Sequence, residues 1–200
     1  MPRSQIIGHH LIWTLYGHWL PNDPRGSGSQ EVRREQIAEL GPLYVGRRPE
    51  PKQPSREELR AFHQQAEARL SFPRFWLDAA KRKDCGLSLA EIISQRSYTV
   101  WAGAILSNHM HLVIRKHRDD ALQMWHQIAD SLRLRLREFQ DIGPLHPVWS
   151  ERPYKVYLKT PEEVRSRVTY VQRNPAKENL PSQHFDFVQE YNNWPFHKQT

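Results

Sequence analysis

The sequence lacks several features that would mark particular classes of protein. Its 200 residues contain a single cysteine, Cys85, so a disulfide framework is excluded and a reducing, cytoplasmic compartment is expected. No stretch approaches the roughly 20 apolar residues of a membrane-spanning helix, and the N-terminal region has no apolar segment typical of secretory signals. The chain has no Gly-x-x-x-x-Gly-Lys-Ser/Thr sequence, so no ATP-binding phosphate loop is indicated.

The sequence has a positive net charge and many aromatic side chains. The net charge of +7 and isoelectric point near 9.7 favour a polyanionic partner, either nucleic acid or an anionic membrane surface. Seven Trp, seven Tyr and seven Phe supply bulky core groups, although only 38% of the residues are hydrophobic. We expect one domain over residues 1–180 with an irregular insertion at about 21–54, and a polar C-terminal tail over residues 181–200.

The hydrophobic pattern predicts an α+β fold. Ser55, Ser88 and Thr160 are each followed three residues later by Glu, which is the pattern of a helix-capping box. The order of elements indicates an antiparallel sheet with helices packed on one face. Extended segments are predicted at 6–16, 98–106, 109–115 and 148–158, and helices at about 33–40, 55–70, 75–83, 88–95, 119–139 and 160–174.

The segment His109-Met110-His111 is the most informative motif in the chain. On a strand, side chains alternate between faces, so both imidazoles would point one way and Met110 would point into the core. Two neutral imidazoles side by side can hold a metal ion. Because the chain has eleven histidines, the spacing alone fits equally well two histidines that cap the end of a strand.

A polar stripe is predicted on the last long helix. Arg167, Tyr170 and Asn174 follow each other at helical spacing. Taken alone, Tyr170 fits best as a residue that covers the edge of the core. The stripe lies beside an apolar one formed by Val164, Val168 and Val171.

Two motifs together resemble the HUH single-tyrosine transposase superfamily. They are Asn108-His109-Met110-His111-Leu112 and the helix that carries Tyr170 followed by Asn174-Pro175. The superfamily includes small insertion-sequence transposases and REP-associated tyrosine transposases. Residues 13–27 also look like the N-terminal signature of one branch, and the matching parts cover residues 10–27, 98–116 and 145–180. The resemblance implies a ferredoxin-like (RRM-like) core.

The resemblance also implies a chemistry and a site. His109, His111 and Asn174 would hold a divalent ion, and Tyr170 would attack a phosphodiester to give a 5′-phosphotyrosine and a free 3′-hydroxyl. An amide oxygen suits Mg²⁺ or Mn²⁺, but Zn²⁺ binds imidazole more strongly in general, so the sequence does not settle the metal. The metal's field, Arg167 or Lys177 would favour the phenolate.

The expected substrate is single-stranded DNA, recognised beside a hairpin. Arg25 could contact DNA or pair with Asp23, and Trp149 and Tyr157 are expected in the core rather than in base stacking. Many relatives have Gly where this chain has Asn179, a residue that tolerates the same left-handed turn. The candidate DNA-binding residues are Arg25, Arg115, Lys116, Arg118, Arg152, Lys155, Lys159, Arg167, Arg173 and Lys177, with Trp149, Tyr154 and Tyr157 as candidate stacking residues.

Three functions remain open at this point. The first is a metal-dependent transposase or endonuclease that cleaves and rejoins single-stranded DNA. The second is a domesticated REP-associated transposase that acts on chromosomal hairpins, and the third is an RRM-like binding module without chemistry. The resemblance implies a bacterial, cytoplasmic, nucleoid-associated protein and leaves open whether it acts as a monomer or a homodimer.

Overall fold

The computed structural model describes residues 5–29, 31–32, 35–139 and 142–196. It contains four strands, β1 (Gly8–Thr14), β2 (Val100–Ile105), β3 (His109–Arg115) and β4 (Tyr154–Leu158). Its helices are α1 (Glu35–Ala38), α2 (Arg56–Glu67), α3 (Ala79–Arg96), α4 (Ala121–Leu136), α5 (Pro161–Gln172) and α6 (Asn174–Lys177). Within the described ranges, no helix is both long and apolar enough to cross a membrane.

The chain divides into two compact units, of which the smaller is Thr14–Phe75. This unit contains α1, α2 and a 3-10 turn at Glu50–Lys52, and it includes the stretch predicted as an irregular insertion. Within it, the guanidinium of Arg25 donates to both carboxylate oxygens of the buried Asp23, at 2.9 and 2.6 Å. Of the two expectations for Arg25, the structure therefore shows the pairing with Asp23.

The larger unit, Met1–Trp13 with Trp76–Thr200, contains the sheet. The strand order is β2-β3-β1-β4, and both outer pairs, β2 with β3 and β1 with β4, are antiparallel. This is the strand order of a ferredoxin-like fold, and the predicted α+β class is confirmed. The order places β1 and β3 side by side in the middle of the sheet.

Helices cover both faces of this sheet, so the prediction that they pack on one face was wrong; the order of the elements does not determine the face on which α5 packs. On one face, α5 packs against β2 and β3, and its Val164 and Val171 join a buried cluster with Val113. On the other face, Gly86 of α3 and Gly103 of β2 both lie against the ring of Phe185, and α3 packs on α4. The helix predicted to carry the tyrosine, α5, thus lies on the face opposite α3.

Three helices begin where local hydrogen bonding predicts. Ser55 and Thr160 form the expected capping boxes with Glu58 and Glu163, in which each side chain satisfies the other residue's backbone N–H. Asp120 does the same at the start of α4. These signals need no tertiary contact, because the orphan N–H groups of a first turn lie within three residues of the cap.

The prediction of two helices at 75–83 and 88–95 was wrong. A single helix, α3, begins after Asp78, whose side chain accepts a hydrogen bond from the Lys81 amide at 2.9 Å. Ser88 is buried inside this helix, and its hydroxyl lies 3.2 Å from the hydroxyl of Ser131. The Ser-x-x-Glu pattern at Ser88 is not a cap because the preceding turn is already helical.

The segment after Pro181 packs along the edge strand β2. The amide of Gln183 exchanges two hydrogen bonds of 2.8 Å with the backbone of Ile105. Gln189 donates from its backbone N–H to the Val100 carbonyl at 2.8 Å. Tyr191 and Trp194 pack against the α5 cluster. Because these contacts combine backbone hydrogen bonds with isolated side chains, the sequence shows no hydrophobic period here.

Candidate active site

The candidate site lies where β1, β3 and α5 meet. His109 and His111 leave β3 on the face covered by α5, and their ring centroids are 4.8 Å apart. Met110, between them, is 1% exposed and points to the other face, as strand alternation predicts. His111 is buried, whereas His109 is partly exposed, so one imidazole of the pair has access to solvent.

A third histidine, His10, contributes to the site from the neighbouring strand β1. Its Nε2 lies 3.0 Å from Nδ1 of His111, and the two rings stack with centroids 5.1 Å apart. His10 is fully buried. Since one of these nitrogens must donate and the other accept, the tautomer of His111 is coupled to that of His10.

Tyr170 on α5 lies against both of these histidines. Its ring centroid is 5.9 Å from that of His111 and 6.0 Å from that of His10, both in edge-on geometry. The ammonium of Lys177 lies 4.3 Å from the Tyr170 ring centroid. Tyr170 is 40% exposed, so a large substrate can reach it without unfolding the helix.

Asn174 lies at the start of α6, one turn beyond Tyr170. It is 4% exposed, and its Oδ1 accepts a hydrogen bond from the ammonium of Lys177 at 3.2 Å. Its Nδ2 has no hydrogen-bond partner among the described residues. Asn174 therefore holds its oxygen towards a cation, here a lysine ammonium.

Two residues outside the motif orient the turn before β3. The side-chain oxygen of Asn108 lies 2.6 Å from Nδ1 of His109. Because an amide oxygen only accepts, Nδ1 carries the proton and the lone pair is on Nε2. Glu178 accepts from the backbone N–H and the hydroxyl of Ser107, at 3.2 and 2.8 Å, and lies 3.8 Å from His109 Nδ1.

Burial keeps the inner histidines neutral. It lowers the pKa of His10 to about 4, with a further contribution from the positive charge of Arg167. Burial also lowers the pKa of His111 well below its ordinary value, and His109, His10 and Lys177 add to this effect. Near neutral pH both rings are therefore uncharged, which is the form in which an imidazole binds a metal.

The donor set fits a divalent ion. Nε2 of His111 is buried and has no hydrogen-bond partner within the described part of the chain, a costly arrangement that a metal bond would relieve. Within the part of the chain that the structure describes, no three His, Cys, Asp or Glu side chains form a group suited to a metal ion. Asn174, whose amide oxygen is a hard donor that suits Mg²⁺ or Mn²⁺, would supply the third ligand.

The predicted DNA-binding residues are distributed over several elements of the fold. Arg167 and Lys177 lie beside the histidine and tyrosine cluster, as their effects on His10 and His111 show. Arg115 and Lys116 lie at the far end of β3, and Arg25 belongs to the smaller unit. The other candidates are distributed as follows: Arg118 after β3, Arg152 and Lys155 before and within β4, Lys159 after it, and Arg173 between α5 and α6.

Of the two aromatic residues expected in the core, Trp149 is buried and Tyr157 is not. Trp149 is in the core, where its indole N–H donates to the Ala129 carbonyl at 2.9 Å. Tyr157, also expected in the core, is 47% exposed, because β4 is an edge strand and Tyr157 points away from the α5 cluster. Tyr154 on the same strand is 58% exposed.

Sequence reasoning missed His10 and Glu178. His10 lies in the first predicted strand. A histidine beside Leu11 in an apolar segment is only a weak indication that its side chain makes a polar contact. The side chain it meets is 101 positions away. Glu178 gave no signal, since its contact with Ser107 depends on how α6 packs against β2.

Comparisons with known proteins place few limits on this assignment. No protein-family model matches the chain, and no curated protein matches it. Four chains of solved structures match, among them a REP-associated tyrosine transposase bound to a REP hairpin. The two chains are 13% identical in sequence. The structural match covers 98% of this chain and 80% of the transposase chain, with a TM-score of 0.47. A likeness of this extent does not establish family membership.

Proposed function

We propose that this protein is a metal-dependent endonuclease and strand transferase that acts on single-stranded DNA through Tyr170. The proposal is carried by the position of Tyr170 on α5. Its ring centroid lies 5.9 Å from that of His111 on β3 and 6.0 Å from that of His10 on β1. A tyrosine that merely covered the core edge would not need to lie against a buried histidine whose Nε2 has no hydrogen-bond partner among the described residues.

The chemistry follows from what each group can do. Tyr170 Oη forms a bond to phosphorus while the bond to the 3′ oxygen breaks, and the phenol proton passes to that oxygen. A bound divalent ion would neutralise charge on a non-bridging oxygen. The Lys177 ammonium lies 4.3 Å from the Tyr170 ring centroid, and its positive charge would stabilise the attacked phosphate. Attack by a 3′-hydroxyl on the phosphotyrosine reverses the step and rejoins DNA without ATP.

The test is a search for a covalent adduct. End-labelled single strands with a hairpin would be incubated with Mg²⁺ or Mn²⁺ and resolved on a denaturing gel. We expect a shifted band for the wild type that disappears in Tyr170→Phe, in His111→Ala and with chelator. Tyr157→Phe is the matched control, because it removes an exposed tyrosine hydroxyl on another strand; its band should persist.

The same assay can reject the proposal. A band of equal intensity in Tyr170→Phe would mean that another residue is the nucleophile. No band for the wild type with any strand, together with tight salt-dependent binding that Tyr170→Phe retains, would instead indicate a binding module.

A further inference from the structure

A second basic site lies at the end of β3 away from His109. It is a cleft of about 690 Å³ whose walls come from the end of α3, the end of β3 and the C-terminal segment. The residues that matter to its chemistry are Arg96, Arg115, Lys116, His117, Arg118 and Trp194. All of them belong to the larger unit.

The cleft concentrates positive charge. Four of its side chains are permanently charged cations, and like charges this close destabilise a fold unless an anion joins them. The carboxylate of Asp119, next to Arg118, is shared among the Tyr98 hydroxyl at 2.8 Å, His117 at 3.5 Å and Arg118 at 4.0 Å. None of the described residues that line the cleft carries a carboxylate.

Trp194 gives the cleft a rigid aromatic wall. The indole packs against the buried α5 cluster, and the guanidinium of Arg115 lies 4.0 Å from its ring centroid. Stacking of this kind fixes the plane of the guanidinium and leaves its N–H groups directed sideways. A planar, oriented guanidinium is suited to bidentate contact with a phosphate.

The position of the cleft relates it to the candidate site. Arg115 is four residues beyond His111 on β3, and both leave the same face, so they are separated by roughly 14 Å along the strand. A single phosphate would use only part of the cleft, whereas a nucleic-acid backbone presents several phosphates in series. An aromatic wall beside cations is also typical of single-strand binding sites.

We infer that this cleft binds the phosphate backbone of the nucleic-acid strand outside the segment that reacts with Tyr170. The inference rests on the proposed function only for the identity of that strand. The cleft determines the affinity for the strand and the register of the strand relative to Tyr170, and it takes no part in the reaction. Arg96 and Lys116 supply charge, and the pair of Arg115 and Trp194 supplies a fixed phosphate contact with a stacking surface.

The test removes two exposed cations from the cleft and measures binding. Arg96→Ala/Lys116→Ala would be compared with Lys83→Ala/Arg137→Ala, which removes the same charge from exposed positions of α3 and the end of α4. Fluorescence anisotropy would follow a labelled 30-nucleotide strand and a labelled 8-nucleotide strand across a range of salt concentrations. Thermal unfolding would confirm that both variants are folded.

We expect the cleft variant to bind the long strand at least tenfold more weakly than the control variant. Its plot of log affinity against log salt should be flatter by about 1.4, since each lost phosphate contact on a single strand removes roughly 0.7. Affinity for the short strand should change less. Adduct formation by the control variant should equal that of the wild type.

Three results would separate the inference from its alternatives. Equal affinity and slope in the cleft and control variants would overturn it. Loss of binding to vesicles containing phosphatidylserine, with DNA binding unchanged, would assign the cleft to a membrane surface and also overturn it. A wild type that forms no adduct but whose DNA binding weakens in the cleft variant would refute the proposed function and support the cleft.

Discussion

Replacement of His10 by Ala is the sharpest perturbation of the candidate site. His10 is fully buried, and its Nε2 lies 3.0 Å from Nδ1 of His111. If His10 Nε2 accepts the proton of His111 Nδ1, the lone pair of His111 is on Nε2, where a metal needs it. If His10 donates instead, the proton of His111 is on Nε2 and the metal position is closed.

The expected magnitude follows from this geometry. Removing a residue that orients a metal-ligating histidine typically lowers metal affinity 10- to 100-fold. The truncation also leaves Nδ1 of His111 unpaired in a buried site and opens a cavity, which together destabilise the fold by about 2–5 kcal/mol. His10→Gln keeps an acceptor in the same region, so it should recover part of the metal affinity that His10→Ala loses.

Two measurements check this reasoning. Calorimetric titration with Mn²⁺ would give the affinity of the wild type, His10→Ala and His10→Gln, and nitrogen NMR of labelled histidine would show which nitrogen of His111 is protonated. The reasoning fails if folded His10→Ala binds Mn²⁺ as tightly as the wild type. It also fails if His111 carries its proton on Nε2 in the metal-bound protein.

Three further predictions follow from other contacts. Burial lowers the pKa of His18 to about 4, so the unfolded chain takes up a proton at this residue first as pH falls below 6.5. His18 should therefore contribute about 2 kcal/mol to the loss of stability between about pH 7.5 and pH 5 in urea titrations, and His18→Gln should lose that much less than the wild type. Asn179 has a φ of 55°, so Asn179→Val should lose about 1–2 kcal/mol in urea unfolding while Asn179→Gly retains stability. Lys177→Met should raise Mn²⁺ affinity in calorimetry, because the ammonium that occupies the Asn174 oxygen is removed; unchanged affinity would exclude Asn174 as a ligand.

Local signals predicted the elements of the fold better than their pairing. The capping boxes at Ser55 and Thr160, the turn before His109 and the left-handed Asn179 all depend on neighbours within a few residues, and all are present in the structure. The start of α3 was missed because Asp78 and Ser88 both carry a capping side chain, and only the burial of Ser88 against Ser131 distinguishes them.

The candidate site shows the same limit more clearly. His9 and His10 are adjacent histidines in one strand, and the sequence treats them alike. Because neighbouring strand positions face opposite ways, only one of them can meet His111. The pairing of β1 with β4 sets His10 opposite Val156, a residue of the α5 face, and His9 opposite Tyr157, which points away. A shift of one residue in this register would bring His9 to the site and move His10 to the other face. The chemistry-bearing residues are therefore readable from their motifs, whereas the residue that orients them is determined by sheet register, which no short segment encodes.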